Sequence, residues 1–362
     1  MGPKGQHLPQ LDSLRTFAVF AVMVGHLASR ATRSLPLGDL GVRLFFVLSG
    51  FLITRILLEC RRLVADGRSP SSVIGRFYVR RFLRIAPLFY GVLAVMWFLA
   101  MPEIRDSLAW HLPYASNIYF ARLGEWHGVT SHLWSLAVEE QFYLLWPMVV
   151  LFLPARWMTA LLLIVAVSAP LFRLVGMWRG WSLISIYVLP FASADSLALG
   201  ALLASLSTGD SRGRLRLTTA GLWLGPLALA IHASTAFHVT AGATFRAAIV
   251  DTLWSAWFVW LIDRAATGFR GAVGTVLESR PLVYLGRISY GLYLINPLSP
   301  PVGRWLWNLA GFGGPYPPNA LVGVGAPIAV TIVLASVSWL LYERPINRLN
   351  RYVPYDPRPE LG

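Results

Sequence analysis

The sequence predicts an all-α, polytopic membrane protein with about ten transmembrane helices and both termini cytoplasmic. Three observations carry this expectation. Of 362 residues, 56% are hydrophobic and 13% charged, about half the charged share of a soluble domain, and the mean hydropathy is +0.58. Apolar windows of about 20 residues, long enough to cross a bilayer, recur along the chain. With the N-terminus cytoplasmic, inside segments hold 22 of the 31 Lys and Arg and outside segments 9, as the positive-inside rule requires.

The first window, 11–29, reads LDSLRTFAVFAVMVGHLAS and follows Lys4. It is too long for a signal peptide and carries Asp12 and Arg15, so it reads as a retained helix. The second, 40–59, emerges from GDLGVRLFFVLSGFLITRIL, in which Gly41 and Gly50 permit close backbone approach. The connection over 60–84 decides the orientation, because it carries Arg61, Arg62, Arg68, Arg76, Arg80, Arg81 and Arg84. Further spans fall at 83–101, 134–153, 157–176, 185–206, 217–234, 245–262, 282–308 and 320–342. Pro190 and Pro297 should kink two of these, and Gly200 and Gly291 allow close packing in the same two. The long outside loop, 102–133, holds Trp110, His111, Tyr114, Tyr119, Trp126, His127 and His132. Its aromatics read as an interfacial belt or as platforms for sugar rings, and its histidines lack metal-ligand spacing, so no metal is expected. An even number of spans returns the C-terminus to the cytoplasm, where Arg344, Arg348 and Arg351 agree. Residues 1–362 read as one membrane domain, with spans over roughly 11–342 and no appended soluble domain. The single cysteine, Cys60, excludes an intramolecular disulfide and reads more simply as a small apolar residue than as an acyl carrier. The net charge of +14 points to anionic lipid, not nucleic acid, since no basic stripe with interleaved aromatics stands outside the spans.

Ionisable groups inside a membrane are costly and usually face a protein interior or a wet cavity. Arg15 and His26 lie eleven residues apart in the first span. That is about three helical turns, so both project from one face, roughly 16 Å apart along the axis. Asp12 falls on the same face. Arg81 and Arg84, three apart, form a fork suited to phosphate, or else an ordinary cytoplasmic anchor. A donor held by its phosphates at that rim needs a long thin arm to reach His26, and the pantetheine of coenzyme A is such an arm. The fourth span opens with HLWSLAVEEQFYLLWP, placing Glu139 and Glu140 at membrane depth, about 100° apart on a helix. At least one must face the interior and pair with an arginine or histidine, either for chemistry or as a structural ion pair. Asp195, in ASADSLALG, either lines a site or pairs helices.

Six segments then occur in a fixed order: LDSLRTFAVFAVMVGHL, GVRLFFVLSGFLIT, RRFLRIAPLFY, HLWSLAVEEQFYLLWP, RISYGLYLINP and YERP. Together they resemble the acyltransferase-3 family of integral-membrane acyltransferases along nearly the whole chain. The resemblance implies a ten-helix fold in a bacterial-type inner membrane. It also implies transfer of an acyl group, commonly acetyl, from cytoplasmic acyl-CoA to a sugar hydroxyl of a surface polysaccharide, lipopolysaccharide or glycolipid. The family's arginine-histidine pair falls on Arg15 and His26, its arginine motif on Arg81 and Arg84, and its glutamate motif on Glu139 and Glu140. The candidate catalytic residues are thus His26 as base or transient acyl carrier, Glu139 orienting the imidazole or an arginine, and Arg15 held by Asp12. Arg81, Arg84, Arg15, Ser49 and Gly50 are the candidates for binding acyl-CoA. Trp134, Ser135, Glu140, Tyr143, Asp195, Tyr290 and Asn296 are those for the acceptor. Relatives commonly carry a histidine where this chain has Asn296, which cannot take a proton near neutral pH, so the base falls to His26. Two alternatives stand beside this expectation: O-acylation of a macrolide-type or other secondary metabolite, and a proton-coupled transporter using the same buried groups. Against the transporter stand the absence of an inverted repeat and the presence of the arginine fork.

Overall fold

Helix follows helix, with no strand among the described residues. The structure, a computed structural model, describes residues 7–27, 36–236, 243–309, 311 and 323–356. The ends of the first and last expected spans, 28–29 and 320–322, lie outside them. Seven helices among the described residues are long and apolar enough to cross a membrane: Leu37–Ala65, Pro70–Phe98, Gly128–Phe152, Ala155–Trp178, Ser211–Ser234, Thr244–Thr267 and Gly325–Tyr352. The chain is an all-α, multi-pass integral membrane protein.

The first helix, α1 (Pro9–Leu27), is 19 residues long, but its ionisable residues keep it out of that group of seven. Next come α2 (Leu37–Ala65) and α3 (Pro70–Phe98). The 60–84 connection expected between two spans is therefore mostly helix, with only 66–69 between them. Both helices continue past the apolar windows, because arginines favour helix as readily as leucine does. Arg76 donates to the Pro354 carbonyl (2.7 Å), and Arg80 to those of Asn350 (2.8 Å) and Val353 (3.0 Å). These bonds dock the C-terminal segment beside the start of α3.

The expected outside loop 102–133 folds into α4 (Pro102–His111), α5 (Ser116–Leu123) and a short turn at Gly128–Thr130 before α6 (Leu133–Phe152). There α7 (Ala155–Trp178) begins. The span expected at 185–206 is divided into α8 (Leu183–Tyr187), a tight turn at Pro190–Ser193 and α9 (Ala194–Leu206). Proline lacks an amide hydrogen and clashes with the preceding turn, so Pro190 breaks the helix outright where a kink was expected. After α10 (Ser211–Ala236) and α11 (Ala243–Thr267) come four short helices: α12 (Gly271–Leu277), α13 (Arg280–Arg287), α14 (Ser289–Ile295) and α15 (Ser299–Leu309). Three of these replace the continuous span expected at 282–308, which breaks again at Asn296–Leu298 around Pro297. Irregular backbone at membrane depth is tolerated where protein or a wet cavity surrounds it. The last helices are α16 (Gly325–Ser338) and, beyond a wide turn at Trp339–Glu343, α17 (Arg344–Arg348).

Small residues set how closely α2 meets its neighbours. A Cβ added at Gly50 would strike the Leu197 carbonyl oxygen, and one at Gly200 the Val47 carbonyl oxygen. The backbones of α2 and α9 thus touch through two glycines facing opposite ways. At the other edge of α2, a Cβ at Gly25 would strike the Gly38 amide, and one at Gly41 the Ala18 carbonyl. Helices in lipid associate through this kind of close approach, having no hydrophobic drive between them.

A buried ionic cluster ties α2, α7, α9 and α11 together. Arg173, 3% exposed, donates to Asp195 Oδ2 (2.9 Å), to Thr252 Oγ1 (2.7 Å) and to the carbonyls of Ala248 (2.8 Å) and Ala192. Arg43, 2% exposed, pairs with Asp251 and lies 3.8 Å from Asp195 Oδ1. Gly200→Ala should destabilise the full-length protein in detergent by about 1–3 kcal/mol. Gly75→Ala, where a Cβ meets nothing within 4 Å, should leave stability level or raise it by up to about 1 kcal/mol. Thermal unfolding of the two variants checks both signs.

Candidate active site

Two cavities hold most of the candidate site residues. The smaller, about 100 Å³, lies among α1, α2, α3, α6 and α14. Arg15, Arg81 and Arg84 line it, together with Ser49, Ser135, Glu139, Glu140, Tyr143 and Tyr290. The larger, about 710 Å³, is lined by His26, Asp39, Glu103, His132, Trp134 and Asn296, among others. Val42 and Tyr293 line both cavities. One valine from α2 and one tyrosine from α14 are thus common to the two linings, and Trp134 of the larger cavity packs edge-on against Phe46 of the smaller at 5.9 Å.

In the smaller cavity the arginines are sparsely partnered. Arg15 donates to Asp12 Oδ1 (3.1 Å), which holds it as expected. Asp12 also pairs with His7 (2.6 Å) and lies 3.9 Å from Arg287. Arg81 lies over the rings of Phe77 (5.7 Å) and Tyr143 (5.5 Å), and neither Arg81 nor Arg84 makes a hydrogen bond or ion pair among the described residues. Guanidinium donors turned into a cavity without protein acceptors suit phosphate oxygens. The carboxylates do not consume them. Glu139 Oε1 accepts from Ser49 Oγ (2.7 Å), which accepts in turn from Tyr143 Oη (3.0 Å). Glu140 has no hydrogen-bond partner among the described residues. The expected direct pairing of a glutamate with arginine or histidine is therefore absent among them, and a Tyr-Ser-Glu chain stands in its place. Tyr290 is anchored by donation to the Ile85 carbonyl (2.9 Å).

The larger cavity collects polar atoms left without protein partners. His26 is exposed to it and meets no hydrogen-bond partner among the described residues. Asn296 is 2% exposed, and its Oδ1 is buried and unpaired. His132, at the start of α6, donates from Nδ1 to the Val129 carbonyl (3.0 Å), leaving Nε2 buried and unpaired. With Nδ1 as donor, Nε2 is a proton acceptor. Tyr293 Oη lies 3.0 Å from the His132 carbonyl and 2.6 Å from Ser135 Oγ. Two buried unpaired polar atoms, His132 Nε2 and Asn296 Oδ1, thus stand on one cavity with the exposed imidazole of His26, a lining that suits a hydroxyl-rich ligand. Trp126 stands edge-on to Tyr187 at 6.2 Å, and Tyr187 lies 4.8 Å from Trp134. These three rings form an aromatic wall. Asp39 accepts from Tyr187 Oη (2.7 Å), fixing that ring.

The expected residues are thus partly gathered and partly separated. Arg15, Arg81, Arg84, Ser49, Ser135, Glu139, Glu140, Tyr143 and Tyr290 share the smaller cavity, and His26, Trp134 and Asn296 the larger. Arg15 and His26, though on one face of α1, open into different cavities, and Glu139 keeps company with the arginines, apart from His26. Gly50 lines neither cavity and packs α2 on α9. Asp195 lines neither and sits in the Arg43–Arg173 cluster, the helix-pairing arrangement. His132 was not among the expected site residues. Its signal was its place at the head of the fourth motif, but only the fold shows its locked tautomer. His111, on α4, bonds to Ser107 Oγ (3.0 Å), and burial holds its imidazole down to about 4. It stays neutral and lines neither cavity.

The acyltransferase domain family matches residues 8–342. YrhL of Bacillus subtilis, named "Putative peptidoglycan O-acetyltransferase", is 29% identical over 375 aligned positions, covering 94% of this chain and 55% of its own. The peptidoglycan O-acetyltransferase OatA of Listeria monocytogenes is 35% identical over 39% of this chain and 24% of its own. The O-acetyltransferase OatA of Staphylococcus aureus is 36% identical over 42% and 26%. The chain spans about half the length of YrhL and matches about a quarter of each OatA. No solved structure matches.

Removing one charged donor from the smaller cavity should cost about 1.5–3 kcal/mol of anion binding, roughly ten- to a hundredfold in Kd. Arg84→Ala should therefore weaken binding of a phosphate-bearing anion such as pyrophosphate by that factor in calorimetry. Arg80→Ala, which only releases the C-terminal segment, should leave it unchanged.

Proposed function

The chain belongs to this acyltransferase family, and from that membership we propose that it is a membrane O-acyltransferase moving an acetyl group from acetyl-CoA to a carbohydrate hydroxyl. One observation carries the reading. A cavity lined by three underpartnered arginines and a cavity lined by His26 and other unpaired polar groups have two lining residues in common, Val42 and Tyr293. Arg15, Arg81 and Arg84 would take the phosphates of the donor. Its pantetheine arm, thin enough to pass between side chains, would carry the thioester past Val42 and Tyr293 to His26.

The chemistry balances without further reagents. The acceptor oxygen attacks the thioester carbonyl carbon while its proton passes to the neutral imidazole of His26. The C–S bond of the resulting adduct breaks, and the thiolate takes the proton back from the imidazolium. An ester and free coenzyme A leave, and His26 is restored. His132 Nε2 and Asn296 Oδ1 accept hydrogen bonds from other hydroxyls of the acceptor and hold it in place. The aromatic wall of Trp126, Tyr187 and Trp134 suits the apolar face of a sugar ring. The acetyl donor and carbohydrate acceptor are further supported by the names of the relatives, which are O-acetyltransferases, those of Bacillus and Listeria being named for peptidoglycan.

A general base contributes about 10²–10⁴ in rate. His26→Ala should lower transfer from acetyl-CoA to a polysaccharide fragment by that factor while coenzyme A binds as before, because the ring stands outside the arginine cavity. An unimpaired rate in that variant would remove His26 from the mechanism.

A further inference from the structure

The hydroxyl of Tyr293 stands where the two cavities meet, and the transfer chemistry above leaves it unused. Tyr293, 7% exposed, lines both cavities. Its Oη lies 2.6 Å from the Oγ of Ser135, which lines the smaller cavity, and 3.0 Å from the carbonyl of His132, which lines the larger. The ring packs edge-on against Phe45 (6.1 Å) and beside the His132 imidazole (5.6 Å), so the hydroxyl has a fixed place. His132 directly precedes α6, and the carbonyl of a residue in that position takes the first backbone bond of the helix. One lone pair is left on it. Ser135 Oγ (3.2 Å) and Tyr293 Oη (3.0 Å) both lie within reach of it. One of the two hydroxyls can donate to the carbonyl, and the other must donate to its fellow hydroxyl. With Ser135 on the carbonyl, the Tyr293 proton rests on Ser135 Oγ. It can turn from there to a stronger acceptor without stranding a buried donor.

We propose that Tyr293 is a catalytic residue of the acyl transfer, donating a hydrogen bond to the thioester carbonyl oxygen and holding the oxyanion that forms there. The inference rests on the acyl-transfer reading. Acetyl-CoA whose phosphates lie among Arg15, Arg81 and Arg84 brings its thioester past Tyr293 on the way to His26. Val42, the other residue common to the two linings, carries no side-chain donor. As the acceptor oxygen attacks the carbonyl carbon, the carbonyl π pair moves onto the carbonyl oxygen. Tyr293 Oη–H binds that charge and keeps its own proton throughout. The pair then returns, the C–S bond breaks, and the thiolate takes the proton that His26 received from the acceptor. A hydrogen-bond donor already in place when the charge develops costs no reorganisation at that moment, which is what makes such groups effective. Ser135 is then a positioning residue, since its hydroxyl holds the Tyr293 Oη at the junction.

Tyr293→Phe in the full chain, held in nanodiscs, tests this. It removes the hydroxyl, keeps the ring packing and leaves Ser135 to bond the His132 carbonyl. Loss of one oxyanion donor costs about 10²–10³ in kcat, so acetyl transfer to a polysaccharide fragment should fall by that factor with the KM for acetyl-CoA unchanged. Infrared difference spectra of acetyl-CoA isotope-labelled at its carbonyl carbon, bound without acceptor, give a readout that a packing role would not move. The carbonyl stretch should lie at lower frequency in the wild-type complex than in Tyr293→Phe. If Tyr293→Phe does not fold, Tyr293→fluorotyrosine keeps the hydroxyl, strengthens it as a donor and should move the band lower still. An undiminished kcat in Tyr293→Phe, a rise in KM alone, or a carbonyl band that neither substitution moves would overturn the proposal. A band shift in a wild-type protein that transfers to no carbohydrate would sink the carbohydrate acyl-transfer reading and leave the Tyr293 bond to the thioester standing.

Discussion

A charge inside a bilayer must be housed by protein, and this requirement orders the whole bundle. Arg15, Arg81 and Arg84 come from α1 and α3, and all turn into one small space closed by α2, α6 and α14. The two glutamates on that space leave the guanidinium groups unengaged, since Glu139 is bound to Ser49 and Glu140 makes no ion pair among the described residues. Of the three arginines only Arg15 holds a carboxylate, that of Asp12, and positive charge left unpaired in a low-dielectric interior has affinity for an anion. Of the helices around this space, α1 and α2 approach closely through Gly25 and Gly41, which bring their backbones into contact.

A second set of charges serves a different end. Arg43, Arg173, Asp195 and Asp251 are paired with one another and with nearby hydroxyls and carbonyls. Removing one member of such a cluster leaves a buried charge uncompensated, whereas the intact cluster contributes little net stability. Its role is to specify how α2, α7, α9 and α11 fit together. The contrast with the arginine cavity is one of partnering: carboxylates pair with both arginines in one place, and Arg81 and Arg84 have no ion pair among the described residues in the other.

Much of this was legible in the sequence because intramembrane charge is conspicuous. Arg15, Arg81, Arg84, Glu139 and Glu140 stood out as ionisable groups at span edges or within spans, and they do share a cavity. The separation of His26 from Arg15 was not legible. Helical spacing puts both on one face of α1, but what lies beside that face at each level is decided by α2 and α14, which interpose Val42 and Tyr293. Asp195 was ambiguous for a related reason, because its partner Arg173 is on another helix. Pro190 and Pro297 marked the places where two spans are interrupted. At Pro297 the interruption presents Asn296 to the larger cavity. His132 read as one more loop histidine until the Val129 carbonyl fixed its tautomer.

The central claim is that donor and acceptor reach one imidazole from opposite sides, the donor passing Val42 and Tyr293. It is tested most directly by sidedness in proteoliposomes of uniform orientation. With acetyl-CoA confined to the side of Arg81 and Arg84 and a sugar acceptor supplied only to the other, acetyl ester should form across the intact membrane. It should stop when Val42→Phe narrows the passage between the two cavities. Ester formed only when both substrates share a compartment, or formed undiminished in Val42→Phe, would contradict the claim.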